Sequence, residues 1–406
     1  MRNLKADGDF DTAMWRLARR TPRWQGVRLA TIALLAVWAG PIPRGGEDVT
    51  RPALAFEHYV VDIDPPSGDG CCLDVCALGD LDGDGRTDIV VGSQNSIGLV
   101  WYHNPDWRRS VIGPGEFTTD AEVADINGDG KSEIIASCID RDQIEWYERV
   151  GDPFRQEGWK RHRIGGGWAH DLAVGDINGD GRPDVIAFSK YAHPPHLVWW
   201  DAPADPRQEW TRHEMDQPAG EGLDVGDLDG DGHLDIAAGR FWYQNADGRG
   251  LKWKKHEIVS DWTDDCRVII ADMNGDGKPD VVLSPSEGKG RLSWFENPTW
   301  REHVIDPGPL EGAHSLGVAD FDGDGRLEVM AGEMHTSPGK RVLVYRRGPT
   351  GDQWQRLVVA TTGTHNAQVG RLTPGALPAI VGKNYEGPKQ VEVWQAVLTP
   401  VPREHW

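Results

Sequence analysis

A nine-residue acidic loop of the form D-x-D/N-G-D-G-x-x-D/E recurs six times, starting at Asp80, Asp125, Asp176, Asp227, Asp272 and Asp320, with steps of 45, 51, 51, 45 and 48 residues. A period of this size restricts the chain to a repeat architecture, because one such unit cannot bury its apolar faces except against its neighbours. One further step of 51 reaches Arg371 in HNAQVGRLTPGALPAIVG, where the flanking apolar runs persist and every acidic ligand has gone. The chain therefore carries seven units, the last without its loop.

Each unit reads as four short strands. One precedes the loop (HDLAVGD) and one follows it (DVIAFS, DIVVGS, EVMAGE), apolar enough to be covered on both faces. An aromatic strand comes next (LVWYHN, QIEWYER, HLVWWDA, RLSWFENP), then a fourth marked by Trp, a basic residue and often His (WKRHRI, WTRHEM, WKKHEI). Trp107, Trp159, Trp210, Trp253, Trp300 and Trp354 mark only six fourth strands, whereas FEHYVVD at residues 56–62 has the same character and precedes the first complete unit. An N-terminal strand that completes the last sheet closes a ring and removes its open edges. The expected fold is all-β: a seven-bladed β-propeller of four-stranded antiparallel blades, the last closed by the N-terminal strand and the tryptophans acting as wedges between blades. The expected boundaries are a signal peptide over 1–39, a linker over 40–55, the propeller over 56–398 and a tail over 399–406.

Oxygen ligands at loop positions 1, 3, 5 and 9, with a backbone carbonyl at 7, suit a hard cation of calcium size, and glycines at 4 and 6 allow the tight turn. The predicted ligands are Asp80, Asp82, Asp84, Arg86 (carbonyl) and Asp88; Asp125, Asn127, Asp129, Lys131 (carbonyl) and Glu133; Asp176, Asn178, Asp180, Arg182 (carbonyl) and Asp184; Asp227, Asp229, Asp231, His233 (carbonyl) and Asp235; Asp272, Asn274, Asp276, Lys278 (carbonyl) and Asp280; and Asp320, Asp322, Asp324, Arg326 (carbonyl) and Glu328. Three loops offer four carboxylates and three offer three, which matches the whole formal net charge of −21. Up to six Ca²⁺ ions are expected, in a structural role, since a filled oxygen cage leaves no open position for substrate.

The same net charge argues against nucleic acid or an anionic membrane as a partner. Residues 29–39, LATIALLAVWA, follow four arginines and fall short of the roughly 20 apolar residues that a membrane span needs, so they read as the core of a signal peptide. A secreted or periplasmic location is the expectation. Cys71, Cys72, Cys76, Cys138 and Cys266 lack the paired spacing of a zinc site, and export would favour one or two disulfides with at least one thiol left over. No nucleophile-elbow, zincin, Walker or dinucleotide motif occurs.

If the acidic hairpins occupy one face of the ring, chemistry belongs to the other, where first strands begin and second strands end. Six residues ahead of each loop stand Asp74, Thr119, His170, Glu221, Cys266, His314 and His365, expected to converge on the axis. Second-strand exits add Lys190, Tyr191, His193, His196, Arg240, Glu333, His335, Lys383, Asn384, Tyr385 and Glu386, and blade-to-blade loops add Trp168, Trp262, Asp264, Asp265 and Arg267. From these, His170, His314, His365, Glu333, His335, Tyr385 and Lys383 are the candidate catalytic set. His314, Glu333, His335 and His365 are expected in one pocket that suits a transition metal on the axis. Histidines of fourth strands, such as His162, His213, His256 and His303, belong to the outer rim.

The loops, in blades of this length, resemble the FG-GAP or VCBS repeat family, whose propellers include the head of integrin α-subunits, and the resemblance covers residues 56 to 397. SWFENPTW, AHSLGVADFDGDG and the His-Asn pair before the last blade are similar to the propeller of aldos-2-ulose dehydratases. That likeness implies sugar chemistry with histidines and a divalent metal near the axis. The leading expectation is thus a sugar-directed carbon–oxygen lyase with a carbohydrate ligand. The alternative is a non-catalytic propeller that binds carbohydrate or a protein partner.

Overall fold

The computed structural model describes residues 52–65, 73–94, 98–192, 194–348, 353–384 and 389–400. The expected signal peptide, most of the linker, Cys71, Cys72, His193, Tyr385 and Glu386 lie outside these residues. Seven four-stranded antiparallel sheets follow one another along the chain. Six use consecutive strands. The seventh joins Gln368–Gly370, Ala379–Lys383 and Val391–Thr399 to the first strand, Ala53–Asp62, paired in the register Ala53 to Thr399, Phe56 to Ala396 and Tyr59 to Val393.

The innermost strands are Leu73–Gly79, Phe117–Ala124, Asp171–Gly175, Leu223–Gly226, Cys266–Ala271, Ser315–Ala319 and Gln368–Gly370. Each packs on the next, and the seventh returns to the first, so the ring is closed. The approach is tight at the hairpin end: a Cβ on Gly79 would lie 2.2 Å from Val123 Cγ1 of the next blade. Second strands such as DIVVGS, EIIASC, DVIAFS and DVVLSP are buried at every residue, as their β-branched composition requires of a strand covered on both faces.

Among the described residues no blade holds a core of its own. Each apolar cluster draws on two consecutive blades, as where Val75, Val90 and Trp101 of blade 1 meet Phe117, Ala136 and Trp159 of blade 2. The fourth-strand tryptophans fill these seams, with Trp159 and Trp210 buried and Trp107, Trp253, Trp300 and Trp354 packed at their margins. Replacing Trp210 with alanine would cost about 3–5 kcal/mol. In the last blade Phe56 substitutes for the missing tryptophan and meets Phe321 edge to face at 5.7 Å. The fourth-strand histidines stack on third-strand tryptophans, His213 on Trp199 at 4.2 Å and His303 on Trp294 at 4.0 Å, which accounts for the recurring Trp and His signature as packing. Among the described residues no helix is long and apolar enough to cross a membrane.

Candidate functional site

The acidic hairpins all fold alike. In the loop from Asp176, Oδ1 of that residue accepts the Gly179 and Asp180 amides at 2.9 and 3.0 Å, and Oδ2 accepts Gly181 at 2.8 Å. Asn178 caps the amide of Asp180 at 3.0 Å and Asp180 that of Arg182 at 3.0 Å, while Gly179 and Gly181 take φ of 74° and 85°. The position-nine carboxylate is buried beneath the turn. Asp184 accepts the Ile177 amide at 3.0 Å and the Ala202 amide at 2.9 Å, tying the loop to the third strand. Burial drives its pKa up to about 7, as it does for Asp88 and Glu133, and to about 6 for Asp235 and Asp280. In the three loops with Asp at position three, ligand oxygens of positions one, three and nine lie within 4.8 Å of one another: Asp80, Asp82 and Asp88; Asp227, Asp229 and Asp235; Asp320, Asp322 and Glu328. This donor set fits calcium.

The seventh hairpin lacks the carboxylates and is latched by hydrogen bonds from the next blade. Thr87 of blade 1 donates from Oγ1 to the Arg371 carbonyl at 2.8 Å, and Asn104 Nδ2 donates to the Leu372 carbonyl at 2.7 Å. Equivalent latches reach back one blade elsewhere, from Asn245 to the Ile177 carbonyl at 2.8 Å and from Asn297 to the Leu228 carbonyl at 2.6 Å.

On the opposite face the seven mouth residues Asp74, Thr119, His170, Glu221, Cys266, His314 and His365 are all buried. His170 Nε2 stands 3.1 Å from Glu221 Oε2, and His314 Nε2 stands 3.6 Å from Glu221 Oε1. Lys190 Nζ lies 2.7 Å from the same carboxylate, 3.0 Å from Glu287 and 3.2 Å from Asp265. Glu221 is wholly buried, and its charge is met by the Lys190 ammonium. His314 stacks on His365 with centroids 4.3 Å apart, and His365 Nδ1 reaches Asp74 Oδ1 at 3.2 Å. Blades 1, 3, 4, 5, 6 and 7 thus share one chain of contacts over the axis.

Arg267 ties this cluster to its neighbours. Its Nε donates to the His314 carbonyl at 3.0 Å, and its guanidinium also pairs with Asp171 and Asn366. Below it the innermost strands of blades 2 and 4 turn Asp120, Glu122 and Asp224 into a shared electrostatic environment. Burial raises Asp120 and Asp224 to about 6 and Glu122 well above the ordinary carboxylate range.

The two facing imidazoles are pushed apart. Burial opposes protonation of His170, but the Asp171 and Glu221 carboxylates outweigh it and raise its pKa. His314 is driven well below the usual imidazole range by burial and by the neighbouring Arg267 cation, so it is neutral. His365 falls to about 4, chiefly by burial, and is neutral beside an ionised Asp74.

The other candidates are placed differently from the expected pocket. Glu333 accepts the Arg341 side chain at Nε, 2.8 Å, and its backbone amide at 3.0 Å. His335 is a ring neighbour of His365 at 6.3 Å. Lys383 is fully buried, with Nζ donating to the carbonyls of Leu73 at 3.1 Å and His365 at 2.7 Å. Among the described residues, His170, Glu221, Glu287 and His314 bring ligand atoms within 4.8 Å of one another, a set suited to a transition metal. Glu287 is the residue that sequence reasoning passed over; it sits at the second-strand exit of blade 5 in SPSEGKG, the position inspected in other units. At the rim Tyr191, about half exposed, stacks on Trp168 at 5.7 Å and touches the His170 ring at 5.6 Å.

The model of the FG-GAP-like repeat matches five overlapping stretches, residues 80–136, 125–187, 176–238, 227–283 and 272–331. No curated protein matches the chain.

Proposed function

The chain belongs to the FG-GAP-like repeat family, and from that premise we propose that it is an exported, calcium-stabilised propeller acting on a keto-sugar as a carbon–oxygen lyase at its axial pocket. One observation carries the reading: a fully buried Glu221 carboxylate, ion-paired to Lys190 at 2.7 Å, with imidazole nitrogens of two other blades at 3.1 and 3.6 Å. Paired titratable groups with pKa values driven in opposite directions are the usual mark of an acid and a base in one site.

In this reading His314 Nε2 removes the proton from the carbon next to the sugar carbonyl. The electron pair forms the carbon–carbon double bond, and the hydroxyl on the adjacent carbon departs as water with a proton from His170. Lys190, held charged by Glu221 and Glu287 despite its burial, faces the developing enolate. Trp168 and Tyr191 offer the outer faces of their stack to a sugar ring. A divalent transition metal held by His170, Glu221, Glu287 and His314 would itself polarise the carbonyl, with the two imidazoles then serving as ligands in place of acid and base. Calcium held by the six loops supplies folding energy and takes no part in the step.

The charges favour a keto-sugar over a uronate. Lys190 is already surrounded by three carboxylates, Arg240 pairs with Asp264 and Glu257, and Lys383 is spent on carbonyls. A substrate carboxylate would meet an excess of negative charge. The test is to incubate calcium-loaded protein with a panel of keto-sugars and uronates and follow the ultraviolet absorbance of the conjugated enone. Enone from keto-sugars supports the lyase; saturable binding with no enone favours the binding propeller; neither result on any sugar removes the carbohydrate reading.

A further inference from the structure

The base assigned above works only if its Nε2 carries a lone pair, and two residues away from any sugar contact decide whether it does. Asn366 is buried and takes a φ of 52°. Its Nδ2 donates to two backbone carbonyls from other blades, Asp74 at 2.9 Å and Thr119 at 2.9 Å. A carbonyl can only accept, so the amide cannot be turned round and its Oδ1 must face the opposite way. There it meets His314 Nδ1 at 2.9 Å and the Arg267 guanidinium.

Arg267 Nη2 also lies 3.3 Å from His314 Nδ1, so two arrangements compete. If Nδ1 lacked a proton, it would face the Asn366 oxygen acceptor to acceptor at 2.9 Å, a repulsive contact in a dry site. If it carries the proton, Nδ1–H and the guanidinium donate to one oxygen from two sides, and their 3.3 Å separation is that of two donors sharing an acceptor. Backbone strain points to the same place. Thr119, a β-branched residue, takes a φ of 56°, and its strained peptide supplies one of the two carbonyls that hold the amide.

We infer that Asn366 is a positioning residue that locks His314 in the Nδ1–H tautomer, leaving Nε2 unprotonated 3.6 Å from Glu221 Oε1, a longer and weaker acceptor-to-acceptor contact than the 2.9 Å one avoided at Nδ1. Asn366 touches no substrate. It acts through His314, in the manner of the outer partners that fix imidazole tautomers. The inference rests on the reading of His314 as the working imidazole, yet the tautomer is measurable whether or not any sugar reacts.

The experiment is ¹⁵N–¹H correlation of the histidine rings in calcium-loaded protein, with His314 assigned by loss of its signals in His314→Gln. The wild-type ring is expected as neutral Nδ1–H. In Asn366→Gly, chosen because glycine accepts the positive φ, the oxygen is gone and Arg267 becomes the sole partner of Nδ1. The ring should then invert to Nε2–H, with kcat on a reactive keto-sugar falling about 100-fold and KM nearly unchanged. A wild-type Nε2–H or imidazolium signal overturns the inference, and so does an Asn366→Gly protein that is folded by circular dichroism and keeps the Nδ1–H tautomer. Inversion of the tautomer without any sugar turnover in the wild type would leave the positioning role standing and remove the lyase reading.

Discussion

On one face of the ring the same loop is written six times; on the other, seven equivalent positions carry Asp74, Thr119, His170, Glu221, Cys266, His314 and His365. The hairpins spend their polar groups mainly on themselves, the position-one carboxylate capping three amides of its own turn. The axial residues spend theirs on other blades, as when His170 of blade 3 and His314 of blade 6 meet Glu221 of blade 4. Repetition stabilises a unit; departure from repetition, placed where seven strands converge, makes a site that no single unit could hold.

The contrast is broken most directly at the axis. Replacing His170 and His314 together with glutamine is expected to lower turnover at least 1,000-fold, about the contribution of an acid–base pair, while the calorimetric melting temperature moves by less than about 5 °C. A collapse of the fold instead would assign these histidines to structure. On the other face, removal of calcium with a chelator is expected to lower the melting temperature by about 10 °C or more, reversed by added calcium. A chain that melts unchanged after chelation would show that the hairpins hold without metal.

The metal-free protein should also respond to pH through its position-nine carboxylates. Asp88, Glu133 and Asp184 have folded-state pKa values raised to about 7 by burial, above the unfolded carboxylate range. Groups raised in this way bind protons more tightly in the folded state, so their stabilising contribution is complete below the unfolded values near 4 and is lost as pH rises through 7. Thermal melts of metal-free protein should therefore show higher stability at pH 5 than at pH 7.5, with calcium restoring the difference at the upper end. The smallest effect sharpens the contrast within one face. Asp227→Asn, in a calcium-type loop, is expected to cost a few degrees, and Arg371→Ala, in the hydrogen-bonded seventh loop, about one degree or less.

The ring was legible because its signals are local and repeated. Alternating strands, Asp/Gly turns and a fourth-strand mark found at the wrong end of the chain identify seven blades and the closure through residues 53–62. The axial mouth was legible at His170, Glu221 and His314, because counting back from each loop gives equivalent positions without knowledge of any contact. What escaped is long-range: that Glu333 turns to Arg341 eight residues on, that Lys383 is consumed by two carbonyls, and that Glu287 joins the cluster from blade 5. The half-buried Asp120, Glu122 and Asp224 had a signal, acidic residues inside first strands, but only the ring geometry gives them a common interior.

The pairing of Ala53–Asp62 with Val391–Thr399 sets an order of events during synthesis. Ala53–Asp62 must wait for Val391–Thr399 to be made, which at 5–20 residues per second is a delay of roughly 15–65 s. Throughout that interval an apolar strand with an unpaired edge is tethered to a growing, open ring. If two nascent chains lie close together, each one's first strand can complete the other's final blade, so crowded expression favours interlocked dimers with the same contacts as the monomer.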